Sequence, residues 1–243
     1  MRTRRTPLLC ELHAHTTWSD GALTLPELVD LYGRNGFDVL CVTDHVVRSD
    51  GPWHRPEWRL VGAAGFDDYL IAVEHEARRA RAAYGLVVIP GLELTYDDDD
   101  PLRAAHAVAV GLRSFVGVDA GLDRALADAR AAGAALIAAH PYAPSAAGDA
   151  PRATARWAAE GNALSASVDR YELVNRRDFF PWVAEAGLPG VAVGDFHRLE
   201  HLATWKTLVP CAATETAVVG YLRSGLPAYL VDLAEPAQLE AAA

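Results

Sequence analysis

Short apolar runs alternate with longer stretches of helical periodicity along most of the chain. The short runs predict strands, and the longer stretches between them predict helices. This alternation indicates repeated β-α units, and so an α/β fold with mainly parallel strands. A helix over 214–223 and a strand over 227–233 are expected in the tail. The predicted strands cover 8–13, 38–43, 86–93, 106–112, 135–139, 170–174 and 190–194, and the predicted helices cover 26–35, 66–84, 120–132, 152–160 and 179–186.

One connection between predicted strands is too short for a helical crossover. Only twelve residues separate Glu93 from His106, and they include four consecutive aspartates and Pro101. Parallel neighbours need a connection of about a dozen or more residues, usually a helix. We therefore predict that the strand starting at His106 runs antiparallel to the strand ending at Glu93. This direction would return His106 to the same end of the sheet as Glu93.

The composition argues against several classes of function but does not indicate a particular one. The chain has 243 residues with 22 basic and 32 acidic side chains, which gives a formal net charge of −10. This charge argues against binding of duplex nucleic acid, which needs a basic surface. Lys206 is the only lysine, so Schiff-base chemistry and a P-loop are nearly excluded.

Neither a membrane span nor export is expected from the sequence. No window approaches about 18 apolar residues without Gly, Pro or charge. The first seven residues are basic but lack the apolar stretch of a signal peptide. Cys10, Cys41 and Cys211 are odd in number and widely spaced, so we expect reduced thiols and a cytoplasmic location.

Metal-competent side chains gather at the ends of successive predicted strands, and six of the nine histidines are among them. In β/α barrels that end of the strands carries the active site. Nine donors are too many for one ion, so they indicate two or three. Because most are imidazoles, zinc, manganese or iron is favoured over magnesium or calcium. The set comprises His13, His15, Asp20, His45, Glu93, His106, His140, Asp195 and His197.

The motifs that hold these residues resemble a known family. The sequence HAHTTWSDG at 13–21 is followed by TDH at 43–45 and PGLE at 90–93. Together with His106, His140, Asp195 and His197 they resemble the PHP (polymerase and histidinol phosphatase) family of metal-dependent hydrolases. The resemblance runs from residue 8 to residue 197. It implies a distorted seven-stranded (β/α)7 barrel, similar to a TIM barrel, as a single domain over 1–243 with its core over 8–197 and a tail over 198–243.

The resemblance also implies a ligand set for each ion. The first ion would be held by His13, His15, Glu93 and Asp195. The second would share Glu93 and add His106 and His140, and the third would take Asp20, His45 and His197. Asp44 is not a ligand in this pattern, and it would either orient an imidazole or pack.

The activity implied is hydrolysis of a small phosphomonoester or nucleotide-type phosphoester by a hydroxide that bridges two ions. Asp20, Glu93, Asp195 and His197 would then be catalytic through the metals. Hydrolysis of a carbamate, ester or amide, or metal binding without catalysis, remains an alternative. The partner expected is a small-molecule phosphoester, and the oligomeric state stays open.

Four further side chains are candidates for gripping a phosphate. Arg48 and His54 belong to segment 46–65, which follows His45 and contains two tryptophans. Arg176 and Arg177 follow the sixth predicted strand at the same end. The alternative for each is ordinary surface packing or ion pairing.

Overall fold

The computed structural model describes residues 7–51, 60–143, 154–161 and 167–234. The strands there are β1 (Leu8–Glu11), β2 (Val39–Val42), β3 (His45–Val47), β4 (Val87–Tyr96), β5 (Ala105–Val110), β6 (Ala135–Ala139), β7 (Arg170–Asn175), β8 (Asp178–Phe179), β9 (Gly190–Val193), β10 (Trp205–Val209) and β11 (Tyr229–Asp232). The α-helices are α1 (Leu25–Arg34), α2 (Phe66–Ala83), α3 (Leu122–Ala131), α4 (Arg156–Glu160), α5 (Pro181–Glu185) and α6 (Glu215–Arg223).

All of these strands belong to one mixed sheet. Its order is β11-β10-β1-β2-β4-β5-β6-β7-β8, with β3 on β4 and β9 on β7. The pairs β1-β2, β2-β4, β6-β7 and β7-β9 are parallel. Strand β5 is antiparallel to β4, with His106 opposite Thr95, so the predicted reversal is confirmed. Strands β10 and β11 are antiparallel additions beside β1.

The sheet curls until its later strands lie beside β1. Ala14 and Phe196 form a parallel bridge, and the Thr207 hydroxyl of β10 hydrogen-bonds to the backbone N–H and carbonyl of Ala192 in β9. The expectation of a seven-stranded (β/α)7 barrel needs correction. All seven predicted strands are present, but the ladder is mixed and gains β3, β8 and β10, because short connections and hairpins replace several of the helical crossovers.

Helices α1 to α5 pack on the outside of the curl, and apolar side chains fill its inside. Helix α1 begins with a capping box, in which the Glu27 carboxylate accepts from the backbone N–H of Thr24 at 2.8 Å. Inside the curl, Cys41, Ile89 and Val108 pack with neighbours from β6 and β9 and with Leu222 of α6. Side chains on a strand alternate between faces, so Glu93, four residues after Ile89, lies on this inner face.

Helix α6 closes the end of the curl that lies opposite the carboxyl ends of the parallel strands. The Arg170 guanidinium, at the start of β7, donates to the carbonyls of Tyr221 and Leu222 in the last turn of α6. A cation is favourable at a helix C-terminus. The carboxyl ends of β4, β6, β7 and β9 therefore face away from α6. Among the described residues, no helix is both long and apolar enough to cross a membrane.

Candidate metal centre

The nine candidate ligands lie together at the carboxyl ends of the strands. Ligand atoms of eight of them, all but Asp195, form three overlapping groups, each confined within 4.8 Å. Glu93 belongs to two of the groups and His15 to two. The groups are His13, His15 and Glu93; Glu93, His106 and His140; and His15, Asp20, His45 and His197.

The first group is fully buried and includes Asp195 by distance. The Nε2 atoms of His13 and His15 lie 3.0 Å apart. Glu93 Oε2 is 3.3 Å from the first nitrogen and 3.4 Å from the second. Asp195 Oδ1 is 3.6 Å and 3.4 Å from the same two atoms. Four ligand atoms thus converge from the residues after β1, from β4 and from the residues after β9.

The second group uses the other oxygen of Glu93. Its Oε1 lies 3.1 Å from His106 Nδ1 and 3.1 Å from His140 Nε2. Strand β5 supplies His106 because it runs antiparallel, and β6 supplies His140 at its end. The two carboxylate oxygens of Glu93 therefore face different sets of imidazoles.

The third group is more open to solvent. Asp20 Oδ1 lies 3.5 Å from His45 Nε2, and Asp20 Oδ2 lies 3.3 Å from His197 Nε2. His15 joins it through Nδ1, 3.9 Å from Asp20 Oδ1. The Asp20 side chain is 30% exposed, so this group borders the mouth of the site.

The spacing and chemistry of these donors fit divalent transition-metal ions. A tetrahedral zinc ion with bonds of about 2.0–2.1 Å places its ligand atoms about 3.3–3.4 Å from one another. The two imidazole nitrogens of the first group lie 3.0 Å from each other and 3.3–3.6 Å from the oxygens of Glu93 and Asp195. Two ring nitrogens that face each other at 3.0 Å are favourable when a proton or a cation lies between them.

The electrostatics of the site also call for positive charge. Burial alone would raise the pKa of Glu93 and of Asp195, but the surrounding imidazoles, including that of His13, hold both well below their usual range. Against the opposing effect of burial, Asp97 and Glu93 raise the pKa of His106 to about 10. The carboxylates therefore stay ionised. When no metal is bound, the positive charge that balances them is a proton on a neighbouring imidazole such as that of His106.

Backbone geometry at the strand ends aims three of the site's side chains. His140, Arg176 and Asp195 have φ of +28°, +55° and +42°, and they are the non-glycine residues with positive φ in the described part of the chain. Such conformations cost about 1–3 kcal/mol each and cluster at functional sites. Each of these residues comes directly after β6 or β7, or two residues after β9, where the chain must turn away from the ladder.

The loop that carries Asp20 is anchored by Asp44. The buried Asp44 carboxylate accepts from the Thr16 N–H at 2.8 Å, the Thr16 hydroxyl at 2.9 Å and the Ser19 hydroxyl at 2.7 Å. A side chain at Gly21 would collide with the His15 carbonyl, so this turn needs glycine. Asp44 thus shapes the loop rather than touching an imidazole itself.

The four candidate substrate-binding residues differ in their position relative to the metal groups. Arg176 reaches the cluster: its Nη2 lies 2.9 Å from Asp195 Oδ2 and 3.0 Å from His197 Nδ1. Arg177 turns instead to Asp232 and to the Ala203 carbonyl.

Arg48 lies one contact away from the cluster. It donates to the Asp97 carbonyl, pairs with Asp50 and Asp98, and stacks on Tyr96. His54 lies outside the described residues.

Sequence reasoning missed two carboxylates that touch the site. Glu172, in the middle of β7, lies 2.8 Å from His13 Nδ1. Asp97 lies 2.9 Å from His106 Nε2, although four consecutive aspartates usually form a solvated turn. The ionisable residue in a buried strand was the signal available for Glu172, because such groups are almost never buried without partners.

Comparison with known proteins identifies the family. The PHP domain family model matches residues 11–155, more than half of the chain, and the chain belongs to this family. The DNA polymerase/3′-5′ exonuclease PolX of Bacillus subtilis is 33% identical over 89 residues. That match takes 37% of this chain and 15% of PolX, so the chain spans only a small part of that relative.

Two solved structures share the fold. A two-domain protein from Bacteroides vulgatus, containing a predicted PHP-like metal-dependent phosphoesterase, superposes with a TM-score of 0.65 at 20% identity. The match covers 93% of this chain and 65% of that one. A candidate metal-dependent phosphoesterase from Bifidobacterium adolescentis gives a TM-score of 0.51 at 17% identity, with coverage of 78% and 87%.

Proposed function

We propose that this PHP-family protein is a metal-dependent phosphoesterase that hydrolyses a small phosphomonoester or nucleotide-type phosphoester. The observation that carries the proposal is the convergence of His13, His15, Glu93 and Asp195 at distances that suit one transition-metal ion. Glu93 faces a second group through its other oxygen. Paired metal sites that share a carboxylate are suited to phosphoester hydrolysis.

Two or three ions, zinc, manganese or iron, would be held by the nine residues described. The first would take His13, His15, Glu93 and Asp195; the second Glu93, His106 and His140; the third Asp20, His45 and His197. Bound there, divalent ions would supply Lewis-acid activation of the phosphoryl group and of the attacking water. Asp20, Glu93, Asp195 and His197 would act in catalysis by holding them.

The chain's own groups fix the ring nitrogens that the ions need. Asp97, a carboxylate, accepts from His106 Nε2 at 2.9 Å, so that nitrogen keeps its proton and Nδ1, beside Glu93, is the nitrogen that would bind an ion. Thr95 Oγ1 lies 2.7 Å from His45 Nδ1. Such hydrogen bonds set the tautomer and the direction of each imidazole.

Arg176 is the residue best placed to bind the phosphate. Its guanidinium is a third exposed and lies against Asp195 and His197, at the edge of the first and third groups. An arginine fork can exchange a carboxylate oxygen for a phosphate oxygen without changing its direction. Arg177 and Arg48, which pair with carboxylates further from the cluster, and His54 are weaker candidates for the same role.

The charge around the mouth favours a small substrate. Asp97 and Asp98 follow β4 beside the second group, and the chain carries a net charge of −10. A polyanion such as duplex DNA would meet repulsion there, whereas a monoester places one phosphate on the ions. The polymerase and exonuclease activities in the name of PolX belong to that protein.

The test is turnover of a panel of aryl phosphates, sugar phosphates, nucleotides and a short oligonucleotide, with manganese or zinc added to chelated protein. We expect hydrolysis of at least one monoester or nucleotide. His13→Ala should lose zinc and activity together, while Glu185→Gln, an exposed change on α5, should keep both. A zinc-loaded protein that cleaves no phosphoester, or that cleaves an aryl ester far faster than any phosphate, would refute the proposal.

A further inference from the structure

Glu172 is a buried carboxylate surrounded by hydrogen-bond donors. It lies in the middle of β7 and has no exposed surface. Its Oε1 is 2.8 Å from His13 Nδ1. Its Oε2 accepts from the backbone N–H of His140 at 2.6 Å and from the side-chain amide of Asn175 at 2.8 Å. One side chain therefore contacts members of two candidate metal groups.

A carboxylate at this position needs a reason. Burying a charged group is costly unless it is paired and hydrogen-bonded, and an apolar residue would fill the interior of a strand at lower cost. The three donors satisfy both oxygens of Glu172. Two of these donors belong to candidate ligands, so the carboxylate organises the site rather than the sheet alone.

The geometry points to Glu172 as a positioning residue that sets the tautomer of His13 and ties the first metal group to the second. An ionised carboxylate can only accept, so His13 carries its proton on Nδ1. Its Nε2, which lies beside Glu93, His15 and Asp195, is then the nitrogen left to bind a metal ion. The inference rests on the proposed metal binding, but not on the identity of the substrate.

The second oxygen of Glu172 holds His140 in place. His140 has a φ of +28°, a conformation that L residues rarely adopt. The 2.6 Å hydrogen bond from its N–H to Glu172 fixes the turn at the end of β6. The Nε2 of His140 then lies 3.1 Å from Glu93 Oε1, within the second group.

Glu172→Gln tests this with little change in shape. Glutamine has one acceptor oxygen and one NH₂ donor, so it cannot serve donors on both sides. If its oxygen stays with His140 and Asn175, its NH₂ faces His13 Nδ1 and drives the proton onto Nε2. If it turns the other way, the His140 N–H loses its acceptor. Either outcome damages one of the two groups.

We expect zinc affinity to fall about 10–100-fold in Glu172→Gln, as measured by competition with a chromophoric chelator. Glu185→Gln on the exposed face of α5 is the matched control and should bind zinc like the wild type. Equal affinity and stoichiometry in Glu172→Gln and the wild type would overturn the inference.

A second measurement needs no Glu172 variant, in case that variant does not fold. In zinc-loaded wild-type protein with ¹⁵N-labelled histidine, nitrogen–proton correlation spectra report which ring nitrogen carries the proton. We expect the His13 proton on Nδ1, hydrogen-bonded to Glu172, with the resonance assigned by through-bond correlation from the His13 backbone. Zinc on Nε2 would by itself leave the proton on Nδ1, so the decisive readout is the hydrogen bond of that proton to Glu172. A proton on Nε2, or an Nδ1 proton that exchanges with water as fast as that of an exposed imidazole, would overturn the inference.

The outcomes separate this inference from the proposed function. A wild-type protein that binds zinc but cleaves no phosphoester would refute the function, while the titration and the tautomer would still support Glu172. Equal zinc binding by the wild type and Glu172→Gln, with phosphoester turnover in the wild type, would refute only the role of Glu172.

Discussion

The ammonium group of Lys206 lies 3.2 Å from Glu11 Oε2, and both side chains are fully buried. Glu11 also accepts from the Gly194 N–H at 2.8 Å and from the Tyr32 hydroxyl at 2.9 Å. Lys206 donates in addition to Thr204 at 2.7 Å. The only lysine of the chain thus braces the backbone directly before Asp195, and a side chain at Gly194 would collide with the pair.

Replacing this lysine should destabilise the fold strongly. In Lys206→Met the Glu11 carboxylate remains buried without its cation, and the loss of one partner of a buried pair costs about 3–5 kcal/mol. The free energy of unfolding, from urea denaturation, should fall by that amount. Glu11→Gln combined with Lys206→Met should recover part of the loss, since no charge is left buried.

The control for this prediction is Arg34→Met, which removes a cation that is 72% exposed. We expect a change within about 0.5 kcal/mol there. A Lys206→Met protein as stable as Arg34→Met would show that the buried pair does not support the fold.

Metal removal should lower the thermal midpoint. A ligand present at a hundred times its dissociation constant stabilises the folded state by about 2.7 kcal/mol. For a chain of this length that corresponds to roughly 5–10 °C for each ion. Calorimetry with zinc and with EDTA measures the difference. Glu93→Ala removes the carboxylate shared by two groups and should lose most of the shift; equal midpoints in the wild type would contradict metal binding.

Replacing Arg176 even by lysine should lower the activity. Its fork donates to the Asp195 carbonyl through Nε and Nη2 and to the carboxylate through Nη2. A lysine keeps the charge but not the paired donors. We expect about 10–100-fold lower kcat/KM on the preferred phosphoester for Arg176→Lys as well as for Arg176→Ala. The exposed Arg198→Lys is the control, and wild-type activity in Arg176→Lys would contradict this role.

His201 should make the fold less stable in mild acid. Burial, reinforced by the Arg176 guanidinium, lowers the pKa of His201 to about 4, and the neutral ring accepts the His197 N–H at 3.1 Å. In the unfolded chain its pKa is about 6.5. Between these values the unfolded state binds a proton that the folded state does not, so this contribution is full above about pH 6.5 and declines toward pH 4.

The comparison with His201→Gln isolates that effect, because the other titrating groups are shared. Denaturation curves at several pH values in EDTA should show the wild type losing stability relative to the variant as the pH falls from 7 to 4.5. His75→Gln, which removes an exposed imidazole, is the control. Parallel stability profiles for the wild type and His201→Gln would rule the effect out.

Sequence patterns predicted most strands of this fold and the reversal of β5, because strand ends and turn residues are local features. The predicted strand at 135–139 matches β6 at both ends, and the short connection after Glu93 predicted the reversal of β5. Strand β10 was missed because Lys206 interrupts its apolar pattern. Its burial depends on Glu11, which is distant in sequence and supplies the opposite charge.

In the candidate site too, local features could be predicted from the sequence, and contacts between distant residues could not. Histidines and carboxylates at strand ends could be grouped because parallel topology collects those ends, as His106 and His140 around Glu93 illustrate. Glu172 could not be found in this way, because it lies within a strand. Its importance appears only when β7 is placed beside β1, and His13 comes within 2.8 Å.

The left-handed backbone at His140, Arg176 and Asp195 creates a conflict between the thermal stability of the fold and the activity of the site. Glycine would relax each position, so selection for thermal tolerance alone should favour it there, at the cost of the side chains that the reaction needs. Glycine at these three positions in a homologue would then mark a lineage that has kept the architecture and abandoned turnover.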